Sequence, residues 1–189
     1  LMSGKRLMEF EALRGLSILL LLALHSEVFD PGIFGEVLSN LAAFVATFLL
    51  GSFFFLAGFF AEISLGKLDT NAFRFIWSKF IRIYPPYWLA LALFIFVLDY
   101  DLSRSALGVY ALNLQAIFSP TFVKSLLTLW YISMLVVFYI LYGSMMMAIH
   151  SSLGLLIASF AIFFLALWAH LTKGIFDPRF FQYYFMFLA

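Results

Sequence analysis

Two polar residues in the first hydrophobic stretch have the types and spacing to do chemistry together. In EFEALRGLSILLLLALHSEVFD, residues 9–30, Arg14 and His25 lie eleven positions apart. On an α-helix that separation returns to within about 20° of the starting direction and rises about 16 Å. One helix would therefore present a guanidinium and an imidazole to the same cavity. An imidazole, with an ordinary pKa near ~6.5, takes a proton from a hydroxyl and gives it back near neutral pH. A guanidinium binds an anionic group. Each residue also has a plainer use. His25 could bond a backbone carbonyl or face lipid headgroups, and Arg14 could anchor the helix beside Glu11, three residues away.

The element that must position this pair is a membrane span. The chain has 189 residues, 65% hydrophobic and only 11% charged, with a mean hydropathy of +1.06. A soluble domain carries about 25% charged residues, so this chain has too little polar surface to cover a globule. The net charge of +1 offers nothing to nucleic acid, and zero cysteines remove disulfide and thiolate-metal chemistry. With three histidines, no metal site is expected. Lys5 and Arg6 would suit a cleaved leader, but Glu9, Glu11 and Arg14 would not, and a retained span is expected.

The uninterrupted run from Gly15 to Ser26 is twelve residues, about 18 Å of helix, and cannot cross a ~30 Å hydrocarbon core. The helix must extend to about residues 7–29, which draws Arg14 to membrane depth. A charge there costs a few kcal/mol and faces protein or water rather than lipid.

Later charge-free runs define the other elements. Residues 37–61 are long enough for a second span. Residues 62–82 carry Lys67, Arg74, Lys79 and Arg82 between Phe73, Ile76, Trp77, Phe80 and Ile81 at helical spacing, the pattern of a basic amphipathic helix lying at an interface. Residues 83–98 form a short third run, with Pro85 and Pro86 suited to the first turn of its helix. Lys79 and Arg82, three apart, would then stand before a helix N-terminus. Two cations and a positive dipole end can hold phosphate, or simply anionic lipid. Residues 105–123 contain Asn113, Gln115 and Pro120 and read as a surface or re-entrant helix. Residues 125–149 and 151–169 supply the fourth and fifth spans, and residues 180–189 start a sixth.

The expected fold is an all-α, multi-span transmembrane helical bundle: about five full spans and the start of a sixth, truncated at the C-terminus, forming one domain over 1–189. With the N-terminus in the cytoplasm, seven Lys and Arg residues fall inside and four outside. Arg14 then lies toward the cytoplasm and His25 toward the outer leaflet. Gly51 and Gly58 in the second span suit close helix packing, with the first span as the expected partner. Trp130 and Tyr131 suit an interfacial aromatic belt, Met145–Met147 core filling, and His150 and His170 interfacial roles.

Taken together, Arg14 and His25, FFFLAGFF at 53–60, KFIRIYPPYW at 79–88 and LWYISMLVVFYIL at 129–141 resemble the N-terminal half of the acyltransferase 3 family, integral membrane acyltransferases. The resemblance implies a bundle of roughly ten spans. It implies an acyl-CoA co-substrate, such as acetyl-CoA, from the cytoplasmic side, and no cofactor. It also implies a hydroxyl acceptor, such as a cell-surface carbohydrate, from the outer side of the cell membrane. His25 takes the position of the family's essential histidine and Arg14 that of its paired arginine. Lys79 and Arg82 match a two-cation motif serving the CoA end, with lysine in place of one arginine. Ala57, Thr128 and Val136-Val137 depart from residues common in the family, and the last two bear on the acceptor. The rival reading from the residues themselves is a proton-coupled transporter with Arg14 and His25 as its relay.

Overall fold

The computed structural model describes residues 12, 15–17, 19, 36–68, 72–119, 123 and 129–189. These residues form helices α1 (Glu36–Leu68), α2 (Ala72–Phe96), α3 (Arg104–Ala111), α4 (Gln115–Phe118), α5 (Leu129–Ala148), α6 (Ser152–Lys173) and α7 (Arg179–Leu188). Residues 12, 15–17 and 19 are also helical, and no strand occurs among the described residues. The chain divides into two compact units, Leu1–Ala57 and Gly58–Ala189, with the division inside α1.

Among the described residues, four helices are long and apolar enough to cross a membrane: Asn40–Leu65, Phe73–Phe96, Leu129–Ala148 and Ser152–Lys173. They correspond to the second to fifth expected spans, and the chain is an all-α, multi-pass membrane protein. Of the expected first span only residues 12, 15–17 and 19 are described; Arg14 and His25 lie outside the described residues. On α6 the exposed residues Leu153, Ile157, Phe160, Phe164, Trp168 and Leu171 recur every three or four positions, an apolar stripe suited to lipid. Ser151 caps the start of α6 by accepting from the Gly154 N–H, and Gly174 closes its end at φ 65°.

One boundary differs from expectation. The basic amphipathic segment and the third span are a single helix, α2, with Pro85 and Pro86 inside it. There is no helix N-terminus at the prolines, so the phosphate site expected there loses its dipole end. Proline has no N–H, so the carbonyls of Ile81 and Arg82 lack their usual i+4 donors. A membrane helix tolerates this where neighbouring groups restore the lost bonds. The charge in 74–82 therefore rides on the first turns of a spanning helix instead of lying flat on the bilayer.

The segment after α2 does not span, in keeping with the surface or re-entrant helix expected there. α3 has 8 residues and α4 has 4, neither enough to cross. The YPPYW stretch of α2 supplies three donors to the C-terminal end of α3. The Tyr87 hydroxyl donates to Tyr110 O at 2.5 Å, the Trp88 Nε1–H to Ala111 O at 2.9 Å, and the Tyr84 hydroxyl to Leu112 O at 3.0 Å. Helix ends leave carbonyls without intrahelical partners, and away from water they need donors. Tyr84 is the middle residue of the 25-residue α2, so the break between α3 and α4 sits about 18 Å from either end of that helix.

Ser133 of α5 fixes the other side of the break. Its hydroxyl donates to Asn113 O at 2.7 Å and accepts from the Ala116 N–H at 3.0 Å. The Gln115 Nε2 group donates to Leu129 O at 2.9 Å. Phe176 and Asp177 then donate their N–H groups to Ile117 O at 2.6 Å and Ala116 O at 2.9 Å. Beneath this lattice Tyr87, Leu91, Ala106, Tyr110, Val123 and Leu129 form an apolar core. A Tyr87→Phe protein keeps the ring and loses the buried hydroxyl. Tyr110 O keeps the Asn113 N–H at 2.9 Å, so the loss is one net hydrogen bond, about 0.5–1.5 kcal/mol, read as a lower unfolding midpoint in detergent. An unchanged midpoint would show that the bond to α3 contributes nothing.

Candidate functional site

Of the four residues singled out for chemistry, Lys79 and Arg82 lie among the described residues; Arg14 and His25 lie outside them. Helical residues 12, 15–17 and 19 flank position 14, and Ser17 is buried at 1% exposure.

Lys79 and Arg82 share α2, one turn apart, but their surroundings differ. α2 packs along α5, and Gly143 marks the close approach. A Cβ on Gly143 would lie 2.9 Å from the Cγ1 of Ile76. One turn further along, the Lys79 ammonium lies 5.1 Å from the ring centres of both Phe75 and Tyr139. Phe75 is buried at 1%, Tyr139 at 8%, and the two rings meet edge to face. A cation over aromatic faces is held by about 0.5–2 kcal/mol per pair, more when it is shielded from water. The gap beside Lys79, bounded by Ile83, Val136 and Ile140, is about 20 Å³. That admits about one water and no phosphate group. Arg82, by contrast, is exposed. An anion reaching this pair must meet the Arg82 guanidinium first, with Lys79 fixed behind it.

The chain also places ionisable groups where charge and spacing alone did not point. Glu62, within the Asn40–Leu65 candidate span, accepts a hydrogen bond from the Tyr142 hydroxyl. The two groups border a cavity of about 520 Å³ with Met145, Ser159 and Phe160. Tyr139 and Tyr142 stand three apart on α5, so one helix face holds Lys79 of α2 and Glu62 of α1. Glu62 was legible only as the charge ending a long apolar run; its partner lies 80 residues away.

Two packing expectations are sharpened. Gly58 abuts α7, where a Cβ would fall 1.8 Å from Phe187 O. The expected contact of this stretch with the first span lies outside the described residues. Trp130 carries the Arg179 guanidinium 3.9 Å from its ring centre. Arg179 in turn pairs bidentately with Asp177, through Nε to Oδ1 at 2.8 Å and Nη2 to Oδ2 at 2.6 Å. Asp177 is 2% exposed, so the carboxylate is desolvated only together with its cation. Trp130 is thus tied into the protein at the start of α5, a role that its belt-like position alone did not indicate. His150 is exposed in the short turn between α5 and α6. His170, in the last turn of α6, places Nδ1 2.8 Å from Phe176 O. Among the described residues, no group of His, Cys, Asp and Glu could hold a metal ion.

A comparison with curated proteins and another with solved structures gave no match. A comparison with family models matched the acyltransferase 3 model, described as an acyltransferase domain, over residues 8–189. That span includes Arg14, His25, the Lys79–Arg82 turn and the whole segment between α2 and α5. It favours an enzyme over the transporter that the residues alone also allowed. The chain belongs to the acyltransferase 3 family of membrane acyltransferases.

Proposed function

We propose that this protein is an O-acyltransferase of the cell membrane. It moves an acyl group, acetyl in the simplest case, from cytoplasmic acyl-CoA to a hydroxyl of an extracytoplasmic acceptor such as a cell-surface carbohydrate. The N-terminus lies in the cytoplasm, and residues 1–189 act as one transmembrane domain. Its co-substrate is acyl-CoA, with no metal and no bound cofactor.

His25 is the general base. It removes the acceptor hydroxyl proton as the oxygen attacks the thioester carbonyl. The tetrahedral intermediate collapses with cleavage of the C–S bond, and the departing CoA thiolate recovers the proton from the imidazolium. Arg14, about 16 Å from His25 along the same helix, stabilises developing negative charge or positions the donor. Arg82 meets the phosphates of CoA, and Lys79 adds its charge from behind. The single observation that supports this reading most is the Lys79–Arg82 step. One cation is braced between Phe75 and Tyr139, and an exposed one stands a turn away, within a chain matched to acyltransferases from residue 8 onward. Lys79 begins about 10 Å from the start of α2, a depth that a pantetheine arm can pass on its way into the bilayer.

The test is donor kinetics. Arg82 is exposed, so Arg82→Glu should leave the fold intact. It should raise the KM for acyl-CoA by about ten- to a hundredfold, the loss of one or two charge-assisted bonds, with a smaller change in kcat. Lys79→Glu should act in the same direction. An unchanged donor KM in Arg82→Glu would remove this turn from the donor site.

A further inference from the structure

A further cavity lies deeper along α2 than the Lys79 gap and shares Val136 and Ile140 with it. It occupies about 360 Å³ between the middle of α2, the break after α3, α5 and α6. That volume is within the range of small-molecule sites. Tyr84, Val137, Ile140, Leu165 and Phe176 are among its walls, together with Asn113. Leu112, Ile140 and Leu165 are 62%, 45% and 65% exposed, so the rim is apolar and opens sideways toward lipid.

Asn113 is the unusual member of that wall. It sits at φ 58°, a left-handed conformation that asparagine tolerates better than most residues. Its backbone is fully engaged: the N–H donates to Tyr110 O at 2.9 Å and the carbonyl accepts from Ser133. Its side chain is not. The residue is 1% exposed, and neither Nδ2 nor Oδ1 has a hydrogen-bond partner. A buried unsatisfied polar group costs about 1–3 kcal/mol, and an amide has two. The other polar group in the wall, the Tyr84 hydroxyl, is already spent on Leu112 O. One water between Nδ2 and Oδ1 would take about 30 Å³, which leaves most of the 360 Å³ to be filled along apolar walls.

We infer that the cavity binds an aliphatic chain drawn from the bilayer whose head is a neutral carboxyl or primary carboxamide, paired with the Asn113 amide. Such a head donates to Oδ1 and accepts from Nδ2 at once, satisfying both orphaned atoms, while the chain fills the apolar walls. The lining offers no cation, which selects the uncharged acid over the carboxylate. The break between α3 and α4 brings the amide to the middle of the membrane, where a chain entering from either leaflet can reach it. The site stands independently of the acyl-transfer reading and is tested without measuring activity.

The experiment is equilibrium binding of radiolabelled decanamide to the full chain in lipid nanodiscs, with empty nanodiscs subtracted. The expected result is a saturable component displaced by unlabelled decanamide and by decanoic acid below its pKa, but not by N,N-dimethyldecanamide, which cannot donate to Oδ1. Asn113→Gly suits the positive φ and removes the amide. It should weaken binding by about tenfold or more, equivalent to ~1.4 kcal/mol. Val137→Trp, on a different helix, should fill the cavity and abolish the component. The inference is overturned by the absence of a saturable component, by unchanged affinity in Asn113→Gly, by retained binding in Val137→Trp, or by equal competition from the dimethyl amide.

Discussion

A His25→Ala protein should insert and fold as the wild type does and lose acyl transfer by about 10²–10⁴-fold, the range for removing a positioned general base. The loss should fall on kcat with the donor KM nearly unchanged, because the imidazole acts on the acceptor hydroxyl and the CoA phosphates are held elsewhere. Arg14→Gln should also lower transfer activity, whether Arg14 stabilises developing charge or positions the donor. Full transfer by a correctly inserted His25→Ala protein would take the base assignment away from this residue. A parallel rise in donor KM would move His25 to the donor site instead.

Gly58→Ala should be strongly destabilising. The new carbon would fall 1.8 Å from Phe187 O and 2.8 Å from Phe187 C. Both obstacles are backbone atoms, so no side-chain rotation relieves them. α1 and α7 must separate, and Phe187 is then drawn from its contacts with Phe138 at 5.3 Å, Tyr139 at 5.5 Å and Tyr142 at 6.1 Å. Overpacking costs about 1–3 kcal/mol, and unseating a buried Phe adds to it. A total near ~3 kcal/mol corresponds to a fall of about 6–12 °C in the unfolding midpoint for a chain of this size. Adding Phe187→Ala should not rescue the protein, because the clash is with the main chain. A Gly58→Ala protein with an unchanged midpoint would mean that the two helices do not approach here. The same separation would loosen Tyr139 from Phe187, and Tyr139 is one of the two rings that hold Lys79.

The spans were legible in the sequence because charge is so costly in lipid. The run 37–61 became Glu36–Leu68, and 151–169 became Ser152–Lys173, with each helix running past its apolar core into flanking polar residues. The start of α2 was misread for a local reason. Two prolines and a run of basic residues mark a boundary in an isolated helix, whereas here the helix continues through both features. That residues 105–123 do not span was legible from Asn113, Gln115 and Pro120, but the anchoring of the segment was not. Tyr84, Tyr87 and Trp88 reach partners 23 to 28 residues away, and no local periodicity encodes that. Lys79 and Arg82 were singled out by charge and spacing. Their unequal surroundings, aromatic rings around one and exposure of the other, depend on how α5 lies against α2. Glu62 with Tyr142 and Arg179 over Trp130 were missed for the same reason: each is a pairing across the bundle.

The most direct measurement of the central claim is sidedness. Sealed vesicles of known orientation carrying the full chain would receive acetyl-CoA labelled in the acetyl group on the N-terminal face only, with a hydroxyl-bearing glycan on the opposite face only. The account predicts labelled glycan in the far compartment and free CoA on the donor side, in amounts that fall together in His25→Ala. Label that passes into the glycan only when donor and acceptor share a compartment, or that passes equally well with His25→Ala, would contradict it.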